Sequence, residues 1–173
     1  MTIVLNSEMI IGSLKTAGVD VVDFKWDSVG IPASAAWMLS ACTEEEGRED
    51  VEFMFDDSSL IEGANAAWWN FANTGRLFDE EGRFLVSVGP VDGEPSAGPH
   101  WARVRLRDEW DVIGKGVDWG VLGGPPGRPG FVMMALDERV IIGATTWTGF
   151  ISVMRLANPM EAGPIRQAMG LRG

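Results

Sequence analysis

Side chains that commonly do catalytic chemistry are few in this sequence and lie far apart. The single histidine, His100, stands in a Gly-Pro-His-Trp segment, and the single cysteine, Cys42, is distant from it. A zinc site needs several His or Cys ligands, and a general base needs a positioned partner. We therefore interpret His100 as a loop or interface residue and Cys42 as a small buried side chain within a helix.

One group of residues has some of the carboxylates that a metal site needs. Asp23-Phe24-Lys25 lies in a predicted strand and Glu8 in the helix before it. A metal-dependent nuclease holds its ion with such carboxylates and places a lysine near the water. The further acidic residue at a neighbouring strand end has no convincing candidate, and an exposed strand face explains the same residues. There is also no phosphate-binding loop, G-x-S-x-G or dinucleotide motif. We predict no catalytic residues, metal or cofactor, and hence a non-enzymatic protein.

A row of arginines suggests ion pairing between surfaces instead. Trp101, Arg103, Arg105 and Arg107 alternate with smaller apolar residues. In a strand this spacing puts one indole and three guanidinium groups on one side, about 6.6 Å apart. Because arginine binds carboxylates in bidentate fashion and is frequent at protein interfaces, we predict that this row is a contact surface.

The acidic partners predicted for this row lie in the first half of the chain. Pairing within one chain would form an ordinary ion-pair seam. Pairing between chains would be a head-to-tail contact, which builds rings or filaments. The sequence leaves both open, and the candidate partners are Glu44, Glu45, Glu46, Asp56 and Asp57.

Tryptophan is unusually frequent, with eight residues and no tyrosine. Adjacent Trp68 and Trp69 fall in a predicted helix, where successive side chains point about 100° apart. Both cannot face the same core, so we predict that one of them is a contact residue. A helix buried on two sides is the alternative.

The charge is strongly negative and unevenly distributed. The chain has a net charge of −11, and residues 1–82 hold 16 acidic and four basic side chains, whereas residues 83–173 hold nine and ten. Direct binding to nucleic acid or to an anionic membrane requires a cationic face, so neither is expected.

With 173 residues and 46% hydrophobic types, the chain has the composition of one soluble globular domain over residues 1–173. We predict an α+β fold with mixed helix and strand in the N-terminal half and mostly antiparallel β structure with long Gly/Pro loops in the C-terminal half. Predicted helices cover 8–17 with Ser7 as the cap, 32–46, and 59–75 with Ser58 or Ser59 as the cap. A terminal helical turn is predicted from Asn158, and Gly163 and Pro164 interrupt it. Predicted strands cover 22–26, 51–55, a hairpin 77–86, 101–107, 131–135 and 140–156, and predicted loops cover 89–100 and 123–130.

The N-terminus has neither a basic region nor a long apolar run, so secretion through a signal peptide is not expected. The longest uncharged stretch, 140–154, has 15 residues and is too short for a spanning helix. The expected location is a virion or the cytoplasm.

These features favour a structural or assembly subunit of a larger particle, as a homo-oligomer or with other subunits. Small acidic α+β proteins with long loops include tail, connector and decoration proteins of tailed phages, which is an analogy of general character. The alternative is an acidic inhibitor or immunity protein that covers a basic site on a toxin or nuclease. A carbohydrate-binding module that uses exposed tryptophan, or an enzyme without a recognisable motif, remains open.

Overall fold

The computed structural model describes residues 6–25, 29–89 and 98–171. Within these ranges the chain forms one seven-stranded antiparallel sheet and four α-helices. The strands are β1 (Val19–Lys25), β2 (Arg48–Met54), β3 (Arg83–Val88), β4 (His100–Leu106), β5 (Phe131–Met134), β6 (Val140–Thr146) and β7 (Phe150–Ala157). The helices are α1 (Ser7–Thr16), α2 (Ala33–Ala36), α3 (Leu60–Thr74) and α4 (Gly163–Ala168).

The order of strands across the sheet is β1-β4-β3-β5-β6-β7-β2. The two strands from the first half of the sequence therefore form the two edges, and the five central strands come from the second half. This arrangement confirms the α+β prediction, with helices mostly N-terminal and a sheet-rich C-terminal half.

Helices cover both faces of the central strands. On one face α1, α3 and the segment between β4 and β5 pack on side chains such as Phe84 and Val86. On the other face α2, α4 and short 3-10 turns pack on side chains such as Leu85. Strands covered on both faces have continuous apolar runs, and all four residues of β5 are buried.

The longest helix, α3, forms as the sequence predicts. Leu60, Ala64, Trp68 and Phe71 follow the helical spacing and are all buried. The helix begins after Ser59, one of the two predicted caps, and the Ser59 side chain makes no capping hydrogen bond.

The first helix is capped one residue earlier than predicted. The Asn6 side chain, rather than Ser7, accepts a hydrogen bond from the Met9 amide. Gly18 follows the helix with a φ of +85°, and a Cβ there would lie 2.3 Å from the Glu109 carbonyl oxygen. Only glycine fits this position.

The predicted helix over 32–46 is wrong in its length. Only α2 is α-helical, followed by 3-10 turns over Trp37–Ala41 and Glu44–Glu46. The break falls at Cys42, whose backbone is extended. Thr43 starts the next turn with a capping box, because its hydroxyl accepts the Glu46 amide while the Glu46 carboxylate accepts the Thr43 amide.

Two further predictions need correction. Residues 77–86 do not form a two-stranded hairpin, because the Asp79 carboxylate accepts the amides of Glu81 and Arg83 and closes a local turn. β3 instead pairs with β4 and β5. Near the C-terminus, Pro164 lies in the first turn of α4, where its missing amide hydrogen is tolerated, so it begins a helix rather than interrupting one.

Some predicted features lie outside the described residues, namely Trp26 at the end of the first strand and most of the loop over 89–100. No helix among the described residues is long and apolar enough to cross a membrane.

Candidate protein interface

The predicted arginine row lies on one side of β4, as the alternation requires. Trp101, Arg103 and Arg105 belong to the strand and Arg107 follows it immediately. They project from the face that α2 and α4 cover elsewhere, and Trp101 belongs to the core cluster on that face. Arg105 and Arg107 lie beyond the helical cover, with about half of each side chain exposed.

The arginines pair within the chain, but their partners are not those predicted from the sequence. Arg103 forms a bidentate pair with Asp23, with Nε–Oδ1 and Nη2–Oδ2 distances of 3.0 and 2.6 Å. Arg105 reaches Glu81 at 3.2 Å, and Arg107 pairs with Asp20 at 2.7 Å. The hydrogen bond from Arg107 lowers the pKa of Asp20 below its usual value. The intrachain seam therefore exists between β4, β1 and the turn before β3.

Trp101 is a core residue in this fold. Only 2% of it is exposed, and its indole N–H donates to the Ile31 carbonyl oxygen at 2.8 Å. It fixes the segment before α2 against the sheet. The alternation that placed it with the arginines is correct, but helical cover buries this end of the row.

The two adjacent tryptophans of α3 divide as the helix geometry predicts. Trp68 is fully buried, and its N–H lies 3.3 Å from the Met133 sulfur. Trp69 is 42% exposed and stacks on Trp110 with ring centroids 5.4 Å apart. Trp69 is therefore the member of the pair whose surface is accessible.

The predicted acidic partners form a separate region at the other edge of the sheet. Glu44 and Glu45 are exposed in the 3-10 turn before β2, and Asp56 and Asp57 are exposed after that strand. Glu46 holds the start of α4, because its carboxylate accepts the Gly163 amide at 2.7 Å. This bond and that from the Thr43 amide lower the pKa of Glu46.

Asp57 also has a local structural role. Its carboxylate accepts both the amide and the hydroxyl of Ser59, at 2.9 and 2.8 Å. These bonds lower the pKa of Asp57 and order the chain just before α3. None of the five predicted carboxylates pairs with the arginine row among the described residues.

Trp119 is a candidate contact residue that the sequence analysis missed. Its side chain is 76% exposed, more than any other large hydrophobic side chain among the described residues. Its φ of +51° lies in the left-handed region, which is rare for a bulky residue. Both features are unfavourable in an isolated molecule, and strained residues tend to occur at functional sites.

Hydrogen bonds and close packing hold the loop that carries Trp119. The Trp119 amide donates to the Gly124 carbonyl at 2.9 Å, and the Val121 amide donates to the Ser13 hydroxyl of α1 at 2.9 Å. A Cβ at Gly120 would lie 2.1 Å from that hydroxyl oxygen. Met9, which is 49% exposed, borders a cleft of about 150 Å³ beside the indole.

The segment between β4 and β5 is tied to both α1 and α3 through Asp111. Its backbone amide donates to Ala17 at 2.9 Å, and its carboxylate accepts the Asn65 side-chain amide at 2.7 Å. The backbone amides of Gly114 and Lys115 donate to the same carboxylate. Burial alone would raise the pKa of Asp111, but these hydrogen bonds outweigh it and lower the pKa.

The residues weighed for catalytic chemistry do not come together. Asp23 projects from the face of the sheet opposite α1, the helix that carries Glu8. Cys42 is buried, and burial raises the pKa of its thiol to about 11. His100 is partly buried at the start of β4. Among residues 6–25, 29–89 and 98–171, no group of three His, Cys, Asp or Glu side chains has the arrangement of a metal site.

No protein-family model matches the sequence, and comparison with curated proteins and with solved structures also gave no match.

Proposed function

We propose that the protein is a non-catalytic structural or assembly subunit that associates with further copies of itself in a larger particle, such as an accessory tail, connector or decoration protein of a phage virion. The observation that carries this proposal is Trp119, an exposed indole in a strained backbone conformation on an ordered loop. Tryptophan is enriched among residues that dominate binding energy at interfaces. Association would bury the indole and offset the unfavourable exposure.

The experiment is light scattering after size-exclusion chromatography of the full chain, at low and high salt. The wild type should form a defined oligomer, and Trp119→Ala should shift it to the monomer with an unchanged circular dichroism spectrum. The matched control is Trp147→Ala, because the 40% exposed Trp147 already has intrachain partners in Ser152 and Phe150. A monomeric wild type at high protein concentration would overturn assembly through self-association.

The arginine row is the second surface for this assay. Arg105→Glu should weaken the oligomer if the exposed part of Arg105 contacts a neighbouring copy. The variant also places a carboxylate beside Glu81, so the free energy of unfolding of the monomer must be measured in parallel. An oligomer that survives Arg105→Glu but not Trp119→Ala would assign the contact to the loop alone.

A second candidate function is supported by the charge distribution. Residues 44–57 hold eight carboxylates and one arginine, a net charge of −7 in one exposed region. An inhibitor or immunity protein that covers a basic site on a toxin or nuclease would use such a region to accelerate association. A monomeric wild type that captures a basic protein, and loses it when Glu44, Glu45, Asp56 and Asp57 are neutralised, would favour this function over assembly.

A further inference from the structure

The outer edge of β2 carries backbone groups that could pair with another strand. β2 pairs with β7 over all seven residues without a register shift. Beyond the strand, the Phe55 amide donates to the Gly149 carbonyl of the same pairing. Hydrogen bonding alternates along an antiparallel pair. The backbone N–H and C=O groups of residues 49, 51 and 53 therefore point toward β7, and those of residues 48, 50, 52 and 54 point away from the sheet.

Turns at each end of β2 satisfy part of this edge. The Arg48 amide donates to the Thr43 carbonyl, and the Met54 carbonyl accepts the Asp57 amide. The amides of Asp50, Glu52 and Met54 lie between these turns, and no described residue pairs with this side of the strand. A run of unpaired groups on a regular edge strand is a template for strand addition.

The side chains on β2 define which strand would fit. Arg48 neutralises Asp50 at 2.8 Å, and Arg155 neutralises Glu49, whereas Glu52 has no ion-pair partner among the described residues. Glu44, Glu45 and Asp56 also have none in that part of the chain, so the region keeps its negative charge. Val51 and Met54, which are 37% and 55% exposed, supply apolar surface between the carboxylates.

We propose that β2 binds an extended, arginine- or lysine-bearing segment of a partner protein, which adds to the sheet as a further strand. A second copy of this chain fits less well, because self-pairing would bring together two regions that each have a net charge of −7. The inference goes beyond the proposed self-association, because it adds a second protein-binding surface and names the chemistry of the partner and the backbone groups that recognise it.

The probe is a peptide as long as β2 in which arginine and valine alternate, measured by isothermal titration calorimetry at physiological salt. Its partner probe has the same sequence and charge but carries N-methyl groups on two adjacent central residues, which removes donors from both edges of the strand. The unmodified peptide should bind about tenfold more tightly than the methylated one, the effect of one to two lost hydrogen bonds.

Two substitutions at one position separate backbone pairing from charge. Glu52→Pro removes an outward N–H, and proline is tolerated in an edge strand when that group faces solvent. Glu52→Gln is the matched control, since it removes the charge and keeps the N–H. Glu52→Pro should weaken binding about tenfold beyond Glu52→Gln, and if Glu52→Pro fails to fold, the methylated peptide decides the question.

Three results would overturn the inference: no binding of the unmodified peptide, equal affinity for both peptides, or a wild-type dimer that Glu52→Pro converts to a monomer. The second would mean a purely ionic contact and the third a second copy at this edge. Trp119→Ala should bind the peptide like the wild type, because Trp119 lies on a different element. Failure at β2 and failure of assembly through Trp119 are therefore distinguishable.

Discussion

The two edges of the sheet carry acidic strands, but only at one of them do basic side chains pair with every carboxylate of the strand. At the first edge, β1 lies next to the arginine row of β4, and its carboxylates at Asp20 and Asp23 pair with Arg107 and Arg103. At the second edge, β2 and its flanking turns hold eight carboxylates and one arginine. The neighbouring strand β7 adds one compensating side chain, Arg155.

The two edges also differ in the regularity of their backbones. The register of β1 shifts between Val21 and Asp23, which marks a bulge, whereas β2 is regular throughout. Bulges interrupt the pattern of groups that another strand would need, and charged side chains restrict which strand can approach. The bulge thus makes the first edge a poorer template for strand addition, and on our proposal the second edge selects its partner by charge. The uneven charge of the sequence therefore corresponds to one compensated edge and one edge that is compensated only in part.

The largest predicted effect concerns Asp111, because its segment joins the helices beside the two edges. Asp111→Asn should lower the free energy of unfolding by about 2–3 kcal/mol, since the replacement loses a charged acceptor and places an N–H₂ group against backbone donors. Urea unfolding followed by tryptophan fluorescence measures the change. Asp108→Asn is the matched control, because the Asp108 side chain is exposed and makes no hydrogen bond to any described residue. This control should change stability by less than about 0.5 kcal/mol.

The stability difference between the wild type and Asp111→Asn should depend on pH. The pKa of Asp111 is lowered in the folded state, so its contribution is complete above the ordinary pKa of aspartate, near 4, and is lost as the pH falls through the lower folded-state value. The stability difference between wild type and Asp111→Asn should stay constant from about pH 7 to pH 5 and shrink below pH 4. A difference that grows on acidification would contradict the assigned hydrogen bonds.

A smaller effect is expected at the first edge. Arg103→Ala should lower stability by about 1–2 kcal/mol, because the Arg103 side chain is only 27% exposed and pairs with Asp23 through two hydrogen bonds. Arg105→Ala, two residues along the same row and half exposed, should change stability by less than about 0.5 kcal/mol. Chemical denaturation of both variants tests the comparison. Equal losses of stability would show that the contribution of an arginine in this row does not depend on its burial.

The sequence predicted the arginine row because the side of a strand on which a residue lies follows from local alternation. It did not predict the partners, since the pairing of Asp23 with Arg103 depends on β1 and β4 meeting across 80 residues of chain. Helical cover over Trp101 is equally non-local. The break after α2 was legible, however, because Thr43 and Glu46 have the spacing of a capping box.

Trp119 shows a different limit of sequence reasoning. A tryptophan followed by glycine in a glycine-rich loop is a visible signal, but the sequence does not reveal whether the indole folds inward. Its exposure depends on the close approach of Ser13 to Gly120, which joins the loop to α1 more than 100 residues earlier. The β2 edge was hidden for a similar reason, since strand order across a sheet is set by the whole topology.

The smallest predicted effect is a change in stability of opposite sign at the two edges when one glutamate at each edge is replaced by glutamine. Glu81→Gln should lower stability by a few tenths of a kcal/mol, because Glu81 lies 3.6 and 3.2 Å from Arg83 and Arg105. Glu52→Gln should raise stability by a similar amount, because residues 44–57 have a net charge of −7 and Glu52 has no ion-pair partner among the described residues.

Both shifts are electrostatic at exposed positions, so salt should reduce them together as the screening length falls from about 10 Å at 0.1 M to about 3 Å at 1 M. Urea unfolding of the two variants at low and high sodium chloride measures this. If the two stability changes have the same sign at low salt, the second edge has compensating charges that the described residues do not provide. The selection by charge proposed for β2 would then lose its basis.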